Sequence, residues 1–69
     1  MFTYRITYTA KTKKGEITGL EAWYNAEDAA GARRALLSDV DLKADISAVT
    51  GVPVSDITGI RIDRIVSYD

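Results

Sequence analysis

The 69-residue sequence predicts a small α+β domain spanning residues 1–69 as one unit: a single-layer β-β-α-α-β arrangement with a three-stranded, mainly antiparallel sheet and two helices packed on one face. Three observations predict it. A period of two runs through the first ten residues, apolar residues recur every three to four positions between Ala26 and Val49, and the alternation returns after the lone proline, Pro53. A period of two lines one face of a strand and a period of 3.6 one face of a helix. Each apolar face must be buried against another element, so the helices cover the sheet.

In the first strand Phe2, Tyr4, Ile6, Tyr8 and Ala10 alternate with Thr3, Arg5, Thr7 and Thr9. β-branched and aromatic residues suit a half-buried pleated surface, and this most regular of the strands is expected at the sheet centre. "KTKKG" (Lys11 to Gly15) breaks the pattern and ends on a glycine suited to positive φ, so the chain turns back as a hairpin. The returning strand, "EITGLEAWY", sets Leu20, Ala22 and Tyr24 on one face and leaves Ile17 out of phase. A bulge at Gly19 returns Ile17 to the core side and points Glu21 and Trp23 away from it.

"NAEDAAGARRALLSD" is expected to open a helix at Ala26, with Asn25 as N-cap and Glu27 and Asp28 complementing the dipole in the first turn. Its buried stripe combines Ala26, Ala29, Ala32 or Arg33, Leu36, Leu37 and Val40. Gly31 reads as a point of close approach to a strand, because no second glycine stands beside it at phosphate-loop spacing. "SDVD" (Ser38 to Asp41) supplies stop and cap residues before a short second helix. There Leu42, Ile46 and Val49 recur at helical spacing and Gly51 is the terminator. Pro53 biases Val52 toward an extended connector.

The last third admits two readings. "DISAVTGVPVSDI", with Ala48 in the first helix, Gly51 in the turn and Val52 and Ile57 as apolar anchors, resembles the helix-turn-helix core of bacterial regulators. That resemblance implies DNA reading within segment 41–63 by a second helix from about Val54 through Asp63. The stretch "VSDITGIRID", however, is rich in β-branched residues, contains a glycine and carries acids beside its one base, which makes a poor recognition helix. As a strand from about Gly59 to Ser67 it does better. Ile60 and Ile62 alternate with Arg61 and Asp63, and Val66 and Tyr68 continue their face. Arg64 interrupts the pattern, so it either lies at an edge with its head in water or marks another bulge that turns Ile65 inward. The strand reading is preferred.

Catalytic chemistry is poorly supplied. Without histidine or cysteine the commonest general base, nucleophiles and transition-metal ligands are missing, so no enzyme, cofactor or metal site is expected. Asp39, Asp41 and Asp45 lack the ligand density and turn glycine of a calcium loop and read as helix caps. A net charge of −1 lacks the basic excess of a typical nucleic-acid binder. No apolar run of about 18 residues is present to cross a bilayer, and "MFTYRITYTA" lacks a leader's basic and apolar regions, so a cytoplasmic protein is expected and no small-molecule substrate is implied.

What remains is a surface. The helix-free sheet face is expected to expose Thr3, Arg5, Thr7, Thr9, Glu21, Trp23, Arg61, Asp63 and Ile65. Tryptophan and arginine are the residues that most often anchor interfaces, so the partner-binding set is Arg5, Trp23, Arg61 and Ile65. The function expected is a small non-enzymatic protein-interaction module that binds a protein partner, or a second copy, through this face or a sheet edge. "WYNAEDAAGARRA" is similar to the junctions of strand-strand-helix-strand proteins among phage and plasmid accessory genes, which implies an accessory or inhibitor role for a mobile element. The alternative is a nucleic-acid binder, through the helix-turn-helix segment or through Arg5, Trp23 and Arg61 as a single-strand platform.

Overall fold

A computed structural model describes residues 1–68. Strand β1 (Phe2–Thr12) turns at Lys13 and Lys14 into β2 (Gly15–Ala26); helix α1 (Ala29–Ser38) and helix α2 (Leu42–Thr50) follow; a single 3-10 turn (Val54–Asp56) leads into β3 (Ile57–Ser67). The sheet is open, its order is β2-β1-β3 and both pairings are antiparallel, so the strand with the cleanest alternation lies in the centre. Central placement buries it most completely: Tyr4, Ile6, Tyr8 and Ala10 all lie in the core. Strand geometry from Ile57 to Ser67 removes the second helix that a helix-turn-helix over segment 41–63 requires, and that reading is corrected accordingly.

Each edge strand reaches the core by shifting register. In β2, Leu20 pairs with Tyr8 and Ile17 with Ala10, so Thr18 and Gly19 on β2 stand opposite Thr9 alone on β1. Gly19 absorbs the extra residue at φ +74°, a backbone conformation that side chains resist. In β3 the shift between Thr7 and Tyr8 leaves Asp63 without a register partner, and a second shift between Lys11 and Thr12 does the same to Thr58. Ile57, Ile60, Ile62 and Ile65 thereby all face the core in one strand. Both alternatives expected at Arg64 are met: it is exposed on an edge strand, and a bulge, placed at Asp63, turns Ile65 inward.

The helix boundary differs from expectation. β2 continues to Ala26, which pairs with Phe2, and Asn25 lies in the strand, where its side chain accepts a hydrogen bond from the Thr3 hydroxyl at 2.9 Å. Asp28, not Asn25, caps α1 by accepting from the Gly31 backbone N–H at 2.7 Å. A Cβ on Gly31 would sit 3.3 Å from that of Ala26, which confirms the close approach of helix to strand end. The later start narrows the buried stripe to Ala32 and Leu36, with Ala29, Arg33 and Leu37 outside it, and leaves Val40 in the turn between the helices, 93% exposed. In α2, Leu42 and Ile46 form one i, i+4 row into the core. Val49 is largely exposed instead, and Gly51 ends the helix in the left-handed conformation.

Candidate interaction face

The sheet face away from the helices is built by the side chains that alternate with the core. Register sets Trp23 on β2 beside Arg5 on β1, and Val66 on β3 beside Arg5 on its other side. Tyr68, two residues beyond Val66, completes the group. Its backbone N–H donates to the Thr3 carbonyl at 2.9 Å, and its ring stacks on Trp23 with centroids 4.9 Å apart and planes tilted by 44°. The Arg5 guanidinium lies 5.5 Å from the centre of the Tyr68 ring, within cation–π range. Its Nη1 is 3.4 Å from the Glu21 carboxylate, while its Nε is buried without a hydrogen-bond partner. Trp23 and Tyr68 remain 54% and 53% exposed, so two aromatic rings stand open at one end of the face, with the half-buried Arg5 guanidinium held between Tyr68 and Glu21.

The other end is a closed polar network. The Thr9 hydroxyl donates to Asp63 Oδ2 at 2.6 Å, Arg61 Nε donates to Asp63 Oδ1 at 2.9 Å, and Arg61 Nη1 reaches the Glu16 carboxylate at 3.4 Å. The Thr9 hydroxyl first, and Arg61 second, hold the Asp63 carboxyl below the usual carboxylate range. The bulge at Asp63 makes this network, because it sets two consecutive residues of β3 on the outer side of Thr9 and Thr7. Thr9, expected on the open face, is therefore fully buried.

Of the partner-binding set, the structure brings Arg5 and Trp23 together and places Arg61 farther along the same face, committed to Glu16 and Asp63. Ile65 is corrected: paired with Ile6, it packs against the core on the helix side. Tyr68 is the residue that sequence reasoning missed. A strict period of two places it on the core face with Val66, and the extra residue at Asp63 turns both outward. The signal was present, since Ile62 and Ile65 are three apart, as are Ile17 and Leu20 around Gly19.

On the helix side, Asp39 is occupied at both oxygens, accepting from the Tyr24 hydroxyl at 2.8 Å and from the Asp41 backbone N–H at 3.0 Å. Burial first, and then the bond to Asp39, push the Tyr24 phenol well above its usual value. Among the described residues no three acids, histidines or cysteines gather as cation ligands, and no helix is long and apolar enough to cross a membrane.

Charge divides between the layers. Strands and hairpin carry six cations (Arg5, Lys11, Lys13, Lys14, Arg61, Arg64) against Glu16, Glu21 and Asp63, a net +3. Residues 27–56 reverse the count, with Arg33, Arg34 and Lys43 against Glu27, Asp28, Asp39, Asp41, Asp45 and Asp56, a net −3. No family model, curated protein or solved structure matches this chain.

Proposed function

We propose that this is a small non-enzymatic, cytoplasmic protein-interaction module, an accessory or inhibitor protein of a phage or other mobile element, that binds through the helix-free sheet face. The observation that carries the reading is the cluster of Trp23, Tyr68 and Arg5: two half-exposed rings and a guanidinium on a face that no other element covers. Tryptophan, tyrosine and arginine dominate the binding energy of known interfaces, since each adds large contact area with a polar handle. A free cation such as Arg64 at its margin adds orientation and on-rate more than affinity. The chain has no histidine or cysteine to supply other chemistry on this face.

The same cluster supports a second reading, a platform on which bases of a single strand stack while cations meet phosphates. Salt separates the two, because phosphate contacts give a steep linear dependence of log affinity on log salt. The test is retention of lysate proteins of the source organism on immobilised wild type and on Trp23→Ala. The reading expects a protein retained by wild type and lost with Trp23→Ala. Equal retention by both, or retention of nucleic acid alone, overturns it.

A further inference from the structure

The bulge in β2 has a consequence on the helix side, away from the Trp23 face. Gly19 brings no side chain to the edge strand, and a Cβ there would meet no atom within 4 Å. A groove of about 250 Å³ remains between this stretch of β2 and α2. Tyr8, Leu20, Ile46 and Val49 give it an apolar lining, and Asp45 on α2 stands beside them. Glu21 also borders the groove, but its carboxylate is paired with Arg5. No lysine or arginine lines it, so Asp45 is its one uncommitted charge among the described residues.

Two acceptors here have no partner within the described chain. The Asp45 carboxylate makes no ion pair or hydrogen bond, and Tyr8, only 4% exposed, makes none through its hydroxyl. Tyr24 has Asp39 to donate to, whereas Tyr8 has no such contact. Burial first, and then the charges of Asp45 and Asp39, raise the Tyr8 phenol above its usual value, which keeps it neutral. A hydroxyl oxygen and a free carboxylate beside an apolar wall call for a donor-rich cation on an alkyl arm, and they repel an anion. We propose that this groove takes one arginine side chain of a protein partner, its alkyl arm on Leu20, Ile46 and Val49 and its guanidinium on Asp45 and the Tyr8 hydroxyl. The guanidinium is weakly hydrated and offers five N–H donors, so it suits a site that is half apolar. Pockets that bury a drug-sized ligand span roughly 300 Å³ or more, and this smaller, open groove matches a single side chain. Val49, expected in the buried stripe yet 79% exposed, becomes covered by the occupant's arm. The site lies on the opposite side of the sheet from Trp23 and Tyr68, so it stands or falls separately from the sheet-face reading.

Titration of the whole chain with a blocked pentapeptide, one arginine among glycines, followed by amide NMR, tests this. Shifts should saturate at Leu20, Asp45, Ile46 and Val49 with a Kd on the order of 1 to 10 mM, the scale of one side chain. The same peptide with citrulline, the neutral isostere, should bind at least fivefold more weakly. Asp45→Asn should weaken the arginine peptide at least threefold and Tyr8→Phe about threefold, while Asp41→Asn, an equal charge one turn away on the helix, should change it less than twofold. Dispersed spectra establish that each variant folds, and the citrulline comparison needs no variant at all. Equal binding of the citrulline peptide, shifts that never saturate, or equal losses with Asp41→Asn and Asp45→Asn overturn the proposal. n-Butylguanidinium binding at least tenfold more tightly than the peptide would mark a site for free small cations and overturns the protein source.

Discussion

Trp23→Ala separates a surface aromatic from a core aromatic, and the structure sets the size of the effect. A fully buried large aromatic hides up to about 250 Å². Trp23 is 54% exposed, so about 100 Å² of mainly apolar surface leaves water when the chain folds, much of it against Tyr68. At about 25 cal/mol per Å² this contributes about 2.5 kcal/mol. Discounting for the alanine that remains and for a compact unfolded ensemble brings the cost to about 1.5 to 2 kcal/mol. No cavity penalty is added, because water fills the opened space. Leu36→Ala is the internal contrast: Leu36 is fully buried between α1 and the sheet, and its truncation should cost about 3 to 5 kcal/mol, enough to unfold much of a domain this small. The assay is urea denaturation followed by circular dichroism, with a slope near 1 kcal/mol per molar for a short chain. The Trp23→Ala midpoint should fall by about 1.5 to 2 M. A loss of 3 kcal/mol or more, comparable with Leu36→Ala, would refute the argument that Trp23 stands on an open face.

Other sites give sharper local tests. Because the Tyr24 phenol is raised in the fold above its unfolded value near 10, its stabilising effect is complete below about pH 10 and is lost as pH rises further; Tyr24→Phe should flatten that alkaline decline while losing the Asp39 hydrogen bond, about 1 kcal/mol at neutral pH. Gly19→Ala meets no atom within 4 Å but must hold φ at +74°, so its cost, about 1 to 2 kcal/mol by urea midpoint, is pure backbone strain. Asp28→Ala should cost about 1 kcal/mol as the true N-cap of α1. Hydrogen exchange should show the loss as faster opening of the first turn, whereas Asn25→Ala should leave that turn unchanged.

Strand order, helix count and the two outward residues Arg5 and Trp23 were legible because each rests on a local period. The errors share one cause. A period of two survives a bulge only as a step of three between apolar residues. At Ile17 and Leu20 a glycine accompanies that step and marks the bulge, whereas at Ile62 and Ile65 Asp63 takes the extra place and its residue type does not distinguish a bulge from an ordinary outward position. Thr9, Ile65 and Tyr68 all lie downstream of that decision, the first covered by Asp63 and Arg61, the other two exchanged between faces. The start of α1 failed for a different reason. Asn25 and Asp28 are equally good caps, and the choice was made by Phe2 pairing with Ala26, a contact between residues far apart in sequence.

Trp23 is the sole tryptophan, so its fluorescence reports on the sheet face alone. Acrylamide quenching of that emission, measured for the free chain and again for the chain bound to a partner or self-associated, tests most directly whether the Trp23 face is the interaction surface. The account predicts free access to quencher in the isolated chain and strong protection in the complex. Undiminished quenching in a complex shown by its mass to have formed would contradict it.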